Sequence, residues 1–512
     1  MKTKPSFSEF KAMAEQGNLI PVYQEFLADT ETPVSTYLKI RDKAYSYLLE
    51  SADRGTKWGR YSFIGYKPYL TIISRGKEVE LREGDEKKTL RDVSNPLLVL
   101  RQMSERFRQV TIRGLSPFQG GLVGYFNYDV VRKWERLPSV SPDENGMPES
   151  IFTFSRRLII FDHLTHQIKV VAFAYLRENT DLKRAYELAT RVVEETISEL
   201  QRPLPHLPEK EGFYVSHLES NFRKEDFKEK VCKAKDHIVA GDAIQVVLSQ
   251  RFSGYVSGDD FTLYRSLRSI NPSPYMFYLN LGQTKLIGSS PEILVRLTHG
   301  KIELRPLAGT RPRGKTPEKD LELEKELMAD PKERAEHIML VDLGRNDVGR
   351  VAMPGSVTVP TLMEVERYSH VMHIVSSVEG LLKPDRDAFD LFMATFPAGT
   401  VSGAPKIRAM EIISELEPTP RGPYAGAVGY FGFNGNMDFC ITIRTITIMD
   451  RKLSVQVGAG IVADSSPENE YEETLRKAGA MFKAINRAGN LFENSTTYST
   501  RVISPALSAV EG

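Results

Sequence analysis

The stretch VGAGIVADSSPENEYEETLRK, residues 457–477, sets how the rest of the chain is read. Gly458-Ala459-Gly460 reads as a turn whose N–H groups converge on an anion, because glycine reaches positive φ without steric cost. Ser466 and Pro467 read as the N-cap and first residue of a helix. Glu470, Glu473 and Lys477 then fall at i, i+3 and i+7, on one helical face. A glycine nest beside paired carboxylates can hold an anionic ligand together with a hard cation, and magnesium often shares its oxygen ligands with an anionic substrate. The same letters also describe a Glu/Lys-laced surface helix after a tight turn.

Backwards along the chain, alternation marks strands at 426–433, 440–449 and 452–457, with a helix at 407–416 and strands near 356–359 and 373–379 before them. A helix over 331–343 opens on Asp330 and Glu333, which read as a capping box. Strands are expected at 277–281, 285–288, 301–307 and 243–252. In the last of these Ile244, Val246 and Leu248 share one face and Gln245 points the other way. Residues 224–240 are helical, with Phe227, Val231, Ala234 and Ile238 on one side and Gly241 as the stop. The N-terminal part shows a short helix at 5–16, a strand at 19–26 and a hairpin of 70–75 with 78–82. A glycine-rich buried strand at 120–126, two strands across 157–173 and an amphipathic helix at 181–200 complete it. There is no strict βαβ alternation, so the class is α+β with mainly antiparallel strands. Pro203, Pro205 and Pro208 mark a linker. The expected organisation is an N-terminal region (1–200), the linker (201–223), a second region (224–493) and a Ser/Thr-rich flexible tail (494–512).

At 512 residues the chain can build more than one core, and its net charge of +1 gives no basic field for nucleic acid or an anionic membrane. No apolar run approaches a membrane span, and the N-terminus lacks the apolar segment of a secretory signal. Cys232 and Cys440 are too few for a disulfide framework and sit in no metal-ligand spacing; both read as buried small hydrophobes in a reducing, cytoplasmic setting.

Residues 309–316, GTRPRGKT, satisfy the G-x-x-x-x-G-K-[ST] pattern, and Ile338–Asp342 looks like an apolar run ending in an acid. A phosphate-loop nucleotide hydrolase is therefore the rival from another class. Its context is wrong: that loop needs a buried strand before it and a packed helix after it. Here 301–307 alternates charge and contains Pro306, and 318–326 is almost wholly charged.

Glu333 and Glu336 repeat the i, i+3 spacing of Glu470 and Glu473 near a helix start, so two ExxE faces from remote sequence could meet around one cation. With that pair in view, the chain resembles component I of anthranilate synthase, within the chorismate-utilising enzymes. The resemblance rests on LLES (48–51), GGLVGYFNYD (120–129), NPSPYMF (271–277), GSSPEILVR (288–296) and RPLAGTRPRG (305–314). It continues through ERAEHIMLVDLGRND (333–347), FPAGTVSGAPK (396–406), RGPYAGAVGYF (421–431) and the opening stretch, in order along nearly the whole chain.

The resemblance implies two orthogonally packed antiparallel β-sheets with peripheral helices. It implies that chorismate is aminated by ammonia and then loses pyruvate. Glu336 and Glu473 would hold Mg2+, with Glu333 and Glu470 acting through its waters. Arg444 and Tyr424 would hold the enolpyruvyl carboxylate. Gly458, Ala459 and Gly460, with Thr400, Lys477 and Gln245, would complete the substrate site. Glu292 would be the general acid for the leaving hydroxyl, His373 would assist proton movement, and Thr310 would lie in the same site. Relatives that add water carry a lysine where Gln245 stands, and aminodeoxychorismate synthases, the runner-up, often carry one where Ala308 stands. Neither cysteine suits a glutamine amidotransferase, so ammonia would come from a separate subunit, in a heterotetramer of two large and two small chains. Tryptophan would inhibit through Glu50, Ser51, Pro274, Tyr275 and Met276.

Overall fold

The computed structural model describes residues 2–41, 43–51, 59–139, 146–205, 213–368 and 371–490. The expected tail at 494–512 lies outside the described residues. Every pairing between named strands is antiparallel, and together they link the strands into one continuous system flanked by helices, the expected α+β class. Among the described residues no helix is long and apolar enough to cross a membrane.

Three long strands organise it: Tyr61–Arg75, Ser150–Asp162 and Gln245–Ser257. The first two pair along most of their length, with a shift at Pro68. The third pairs with Lys452–Ile461, from Tyr255 opposite Lys452 to Val246 opposite Ile461. Strands remote in sequence interleave: Gly121–Phe126 lies beside Ala427–Gly432, and Ser46–Glu50 beside Tyr275–Leu281. Gly121 and Gly124 are there for room, since a Cβ at either would fall on a neighbouring carbonyl.

The helix Pro467–Asn490 turns Leu475, Ala478, Met481, Phe482 and Ile485 onto the sheet, against Leu263, Tyr264 and Leu267 of Phe261–Ile270. Each large side chain buried in this way contributes about 1.5–3 kcal/mol. In the helix Lys224–Val239, Phe227, Val231 and Ala234 are buried as expected. Cys232 is exposed, not buried, because it sits one residue off that apolar stripe; Cys440 is buried.

Several expectations need correcting. Gly458–Gly460 is not a turn: the strand Lys452–Ile461 runs straight through it, and neither glycine has positive φ. The expected strand 440–449 is two strands, Met437–Ile441 and Thr445–Met449, broken by Arg444 at φ 51°. Asp330 caps the helix Pro331–Gly349 by accepting from the Lys332 and Glu333 N–H groups, but the reciprocal bond of a capping box is missing because Glu333 turns to Arg311. The Walker-like loop cradles its own acid. Asp320 accepts from Gly314 N (2.8 Å) and from Arg313 Nε and Nη2 (both 2.9 Å), which hold its carboxyl down at about 2. Ile338–Asp342 lies inside the Pro331–Gly349 helix, as the helix expected over 331–343 requires.

Candidate active site

The site forms where the start of Gln245–Ser257, the end of Lys452–Ile461 and the first turns of Pro331–Gly349 and Pro467–Asn490 converge. Thr445–Met449 pairs with the Lys452 strand only as far as Val455, so from Val457 onward that strand's far edge has no strand partner among the described residues. Its glycines make space for crossing side chains. A Cβ at Gly460 would lie 2.4 Å from Gln245 Nε2, and one at Gly458 would lie 2.5 Å from Tyr424 Oη.

Gln245 is buried; its Nε2 donates to Glu336 Oε1 (3.3 Å), while its Oε1 is buried without a partner. Burial, then the Glu333 charge, push the Glu336 carboxyl up. Glu473 adds to the push, whereas Gln245 and Lys477 oppose it. The two ExxE faces therefore share one electrostatic field. Glu470 is likewise raised, first by burial and then by Glu473, against Ser465 and the lysines Lys477 and Lys332. Each acid has a cationic or polar neighbour: Lys477 Nζ lies 2.6 Å from Glu473 Oε1, and Arg311 Nη1 3.0 Å from Glu333 Oε1. Among the described residues no group of three or more His, Cys, Asp or Glu side chains stands ready to hold a metal ion.

Arg444 Nη1 donates to the Lys477 carbonyl (2.5 Å), and among the described residues no carboxylate pairs with its guanidinium. Burial lowers its pKa, with Tyr424 and Glu473 opposing. A non-glycine residue in the left-handed region costs about 1–3 kcal/mol, and such residues gather at functional sites. Here that backbone turns Arg444 off the sheet ladder toward the helix at Lys477. Tyr424 is buried, and burial pushes its hydroxyl up to about 12.

Glu292 is buried and its carboxyl is raised to about 8 by burial, against the lowering effects of Thr400 and Lys477. Thr400 Oγ1 is buried beside it. His373 pairs in register with Thr310, its Nδ1 3.0 Å from Thr310 Oγ1 and 3.1 Å from the Gly309 carbonyl. A carbonyl can only accept, so Nδ1 carries the proton and Nε2 keeps a lone pair. Gly309, at φ 72°, makes the bulge that allows this approach.

One group went unnoticed in the sequence. Arg421 is 2% exposed and pairs with Glu417 through Nε (2.8 Å) and Nη2 (2.6 Å). It also donates to the carbonyls of Val401 and Val247, each at 2.6 Å. It thus ties the Thr400 turn to the Gln245 strand. Its i, i+4 spacing from Glu417 carried no helical signal because Pro418 and Pro420 intervene.

On the strand Ser46–Glu50, Glu50 is buried and accepts from Tyr264 Oη and Arg268 Nε (both 2.8 Å), and it faces Met276 across the ladder. Tyr275 Oη donates to Asp438 Oδ1 (2.9 Å), and Pro274 and Tyr275 line a pocket with Arg296. Ser51 Oγ is buried without a partner.

A family model described as chorismate binding enzyme matches residues 45–483. Anthranilate synthase component 1 of Acetivibrio thermocellus is 48% identical over 497 residues, covering 95% of this chain and 99% of its own. That of Synechocystis sp. is 51% identical over 506 residues, covering 94% and 99%. The crystal structure of anthranilate synthase component I from Streptococcus pneumoniae TIGR4 superposes with a TM-score of 0.73 at 38% identity, covering 83% of this chain and 92% of its own. MenF, the menaquinone-specific isochorismate synthase of Escherichia coli, shares the fold at 18% identity and a TM-score of 0.68. The chain belongs to the chorismate-binding enzymes, within the anthranilate synthase component I family.

Proposed function

We propose that the chain aminates chorismate with ammonia and then eliminates pyruvate to give anthranilate, the first committed step toward tryptophan. The observation that carries this reading is the gathering of two remote ExxE faces with Lys477, beside an Arg444 guanidinium that lacks a carboxylate partner among the described residues. Chorismate has two carboxylates, and these are the two kinds of receptor it needs.

Arg444 and Tyr424 take the enolpyruvyl carboxylate, with Thr400, Lys477 and the unpaired strand edge at Gly458–Gly460 around it. Glu292 is neutral at pH 7 because its carboxyl is raised to about 8, so it can hand a proton to the departing ring hydroxyl as ammonia attacks. His373 offers its Nε2 lone pair for proton movement as pyruvate leaves, and the Gly309 carbonyl fixes its tautomer. Gln245 cannot deprotonate water, which favours an amine product over a hydroxylated one.

The acids suit a divalent cation: burial and mutual repulsion raise Glu336 and Glu470, and a bound cation would relieve both effects. Glu336 and Glu473 would hold Mg2+, with Glu333 and Glu470 contacting its waters. Lys477 would have to release Glu473. When bound, the ion supplies Lewis-acid withdrawal of charge from the ring carboxylate.

The relatives are named as component 1, which supports a second component. We assign to that component the release of ammonia from glutamine, in a cytoplasmic heterotetramer. Tryptophan would inhibit at Glu50, Ser51, Pro274, Tyr275 and Met276. The test is a fluorescence assay with chorismate, Mg2+ and ammonium salt at alkaline pH, without any partner. Anthranilate should appear, and EDTA should stop it; a non-fluorescent hydroxylated product, or turnover indifferent to EDTA, would overturn the reading.

A further inference from the structure

Arg421 is buried and spans three of the segments that build the site. Its Nη2 donates to the Val247 carbonyl, two residues past Gln245, and its Nη1 to the Val401 carbonyl, next to Thr400. Its guanidinium lies over the Tyr424 ring, 5.6 Å from the centroid, and over the Tyr128 ring at 4.7 Å. One group therefore touches Tyr424 and holds the chain beside both Gln245 and Thr400.

The guanidinium is itself held in place. Glu417 accepts from its Nε and Nη2, and the same carboxylate accepts from Ser249 N (2.8 Å) and Ser249 Oγ (2.9 Å) on the Gln245 strand. Four of its five N–H groups are engaged in this way. The backbone leading to Tyr424 is tied as well: Gly422 N donates to Asp129 Oδ2 (3.0 Å), and the Gly422 carbonyl accepts from Tyr128 N (2.8 Å). Net stability is a weak account of a buried ion pair, because desolvation offsets most of the attraction. A planar fork does what a point charge cannot: it holds several acceptors at set angles and distances.

We propose that Arg421 is a positioning residue for substrate. It sets the Tyr424 ring and the Thr400 turn at fixed distances from the Gln245 strand, and so spaces the receptor for the enolpyruvyl carboxylate without touching it. The inference rests on the reading of Tyr424 and Thr400 as groups around that carboxylate and adds what keeps them in register.

A double-mutant cycle on the full chain tests it, with chorismate titrated by calorimetry in Mg2+ and without ammonium. Arg421→Lys keeps the charge opposite Glu417 but loses the fork, and should weaken chorismate binding about tenfold. Tyr424→Phe should weaken it about tenfold in the parent, the worth of a hydrogen bond to a charged group. In Arg421→Lys the same change should cost less than about threefold, because the hydroxyl already stands out of place. With ammonium salt, Arg421→Lys should raise the KM for chorismate about tenfold and leave kcat within about threefold, the mark of lost substrate binding rather than a loosened fold. Additive effects of Arg421→Lys and Tyr424→Phe overturn the proposal. So does a fall in kcat with chorismate binding unchanged, or parental behaviour in Arg421→Lys. If Arg421→Lys loses its thermal unfolding transition, Glu417→Asp decides in its place: both charges stay, and the shorter acid draws the guanidinium off its two carbonyls. A parent that binds chorismate but makes no anthranilate defeats the reading of the reaction, and the binding cycle still decides the role of Arg421.

Discussion

Replacing Glu292 by Gln should slow the reaction and stabilise the fold at the same time. Burial raises this carboxyl from 4.5 to about 8. Below pH 4.5 it is protonated whether the chain is folded or unfolded, and it costs nothing. Above that, the unfolded chain releases the proton and the folded chain keeps it, so stability falls as pH rises, by about 1.4 kcal/mol per pH unit, until the folded group ionises. The penalty is about 3 kcal/mol at pH 7 and levels off near 5 kcal/mol above pH 8. Glutamine keeps the shape and cannot ionise, so the variant escapes it. Urea unfolding of parent and variant, followed by circular dichroism at pH 5 and pH 8.5, should show the variant's advantage growing by about 4 kcal/mol between the two. The variant's kcat should drop by about 10²–10⁴. The parent's kcat should decline as pH climbs past about 8, where the acid loses its proton, and the variant's residual rate should lack that decline. A stability gap of the same size at both pH values would refute the claim that a buried, protonated Glu292 sits at the site.

Three further outcomes are expected. Gly460→Ala puts a Cβ 2.4 Å from Gln245 Nε2, the far end of a side chain that can swing away. Stability should change by less than about 1 kcal/mol, but kcat/KM should fall at least about tenfold, as Gln245 leaves Glu336; full activity would mean that Gln245's position does not matter. Arg444→Met should raise the KM for chorismate about 10–100-fold, the loss of a charge-assisted pair, and an unchanged KM would place the carboxylate elsewhere. Ser51→Phe should abolish inhibition by tryptophan while leaving ammonia-driven activity intact, because Ser51 follows Glu50 in the chain and is none of the groups assigned to chorismate; inhibition that persists removes that site assignment.

Features set by near neighbours were legible. The helix from Pro467, the buried face of Phe227, Val231 and Ala234, and the Asp330 cap all depend on residues within a turn of one another. Each ExxE face is equally local, which is why both could be read and set side by side before any geometry was known. Lys477, four residues after Glu473, was read onto the same face for the same reason, and the structure pairs the two. The counter-cation of Glu333 was not, because Arg311 reaches it from a strand on another part of the fold and breaks the capping box in doing so. The glycines at 458 and 460 show the limit most clearly. Read locally, Gly-Ala-Gly favours a turn, since positive φ is the property of glycine that shows in isolation. Its other property, the absence of a side chain, matters only when something must pass through the vacated space. What passes through here is Tyr424 and Gln245, brought in from other segments. The misread stretch is therefore also a place where side chains from remote segments cross into the site. Had a turn been all that was needed, alanine between two bends would have served; an extended strand with two missing side chains is needed only if the groups crossing it must stand at fixed distances from its edge.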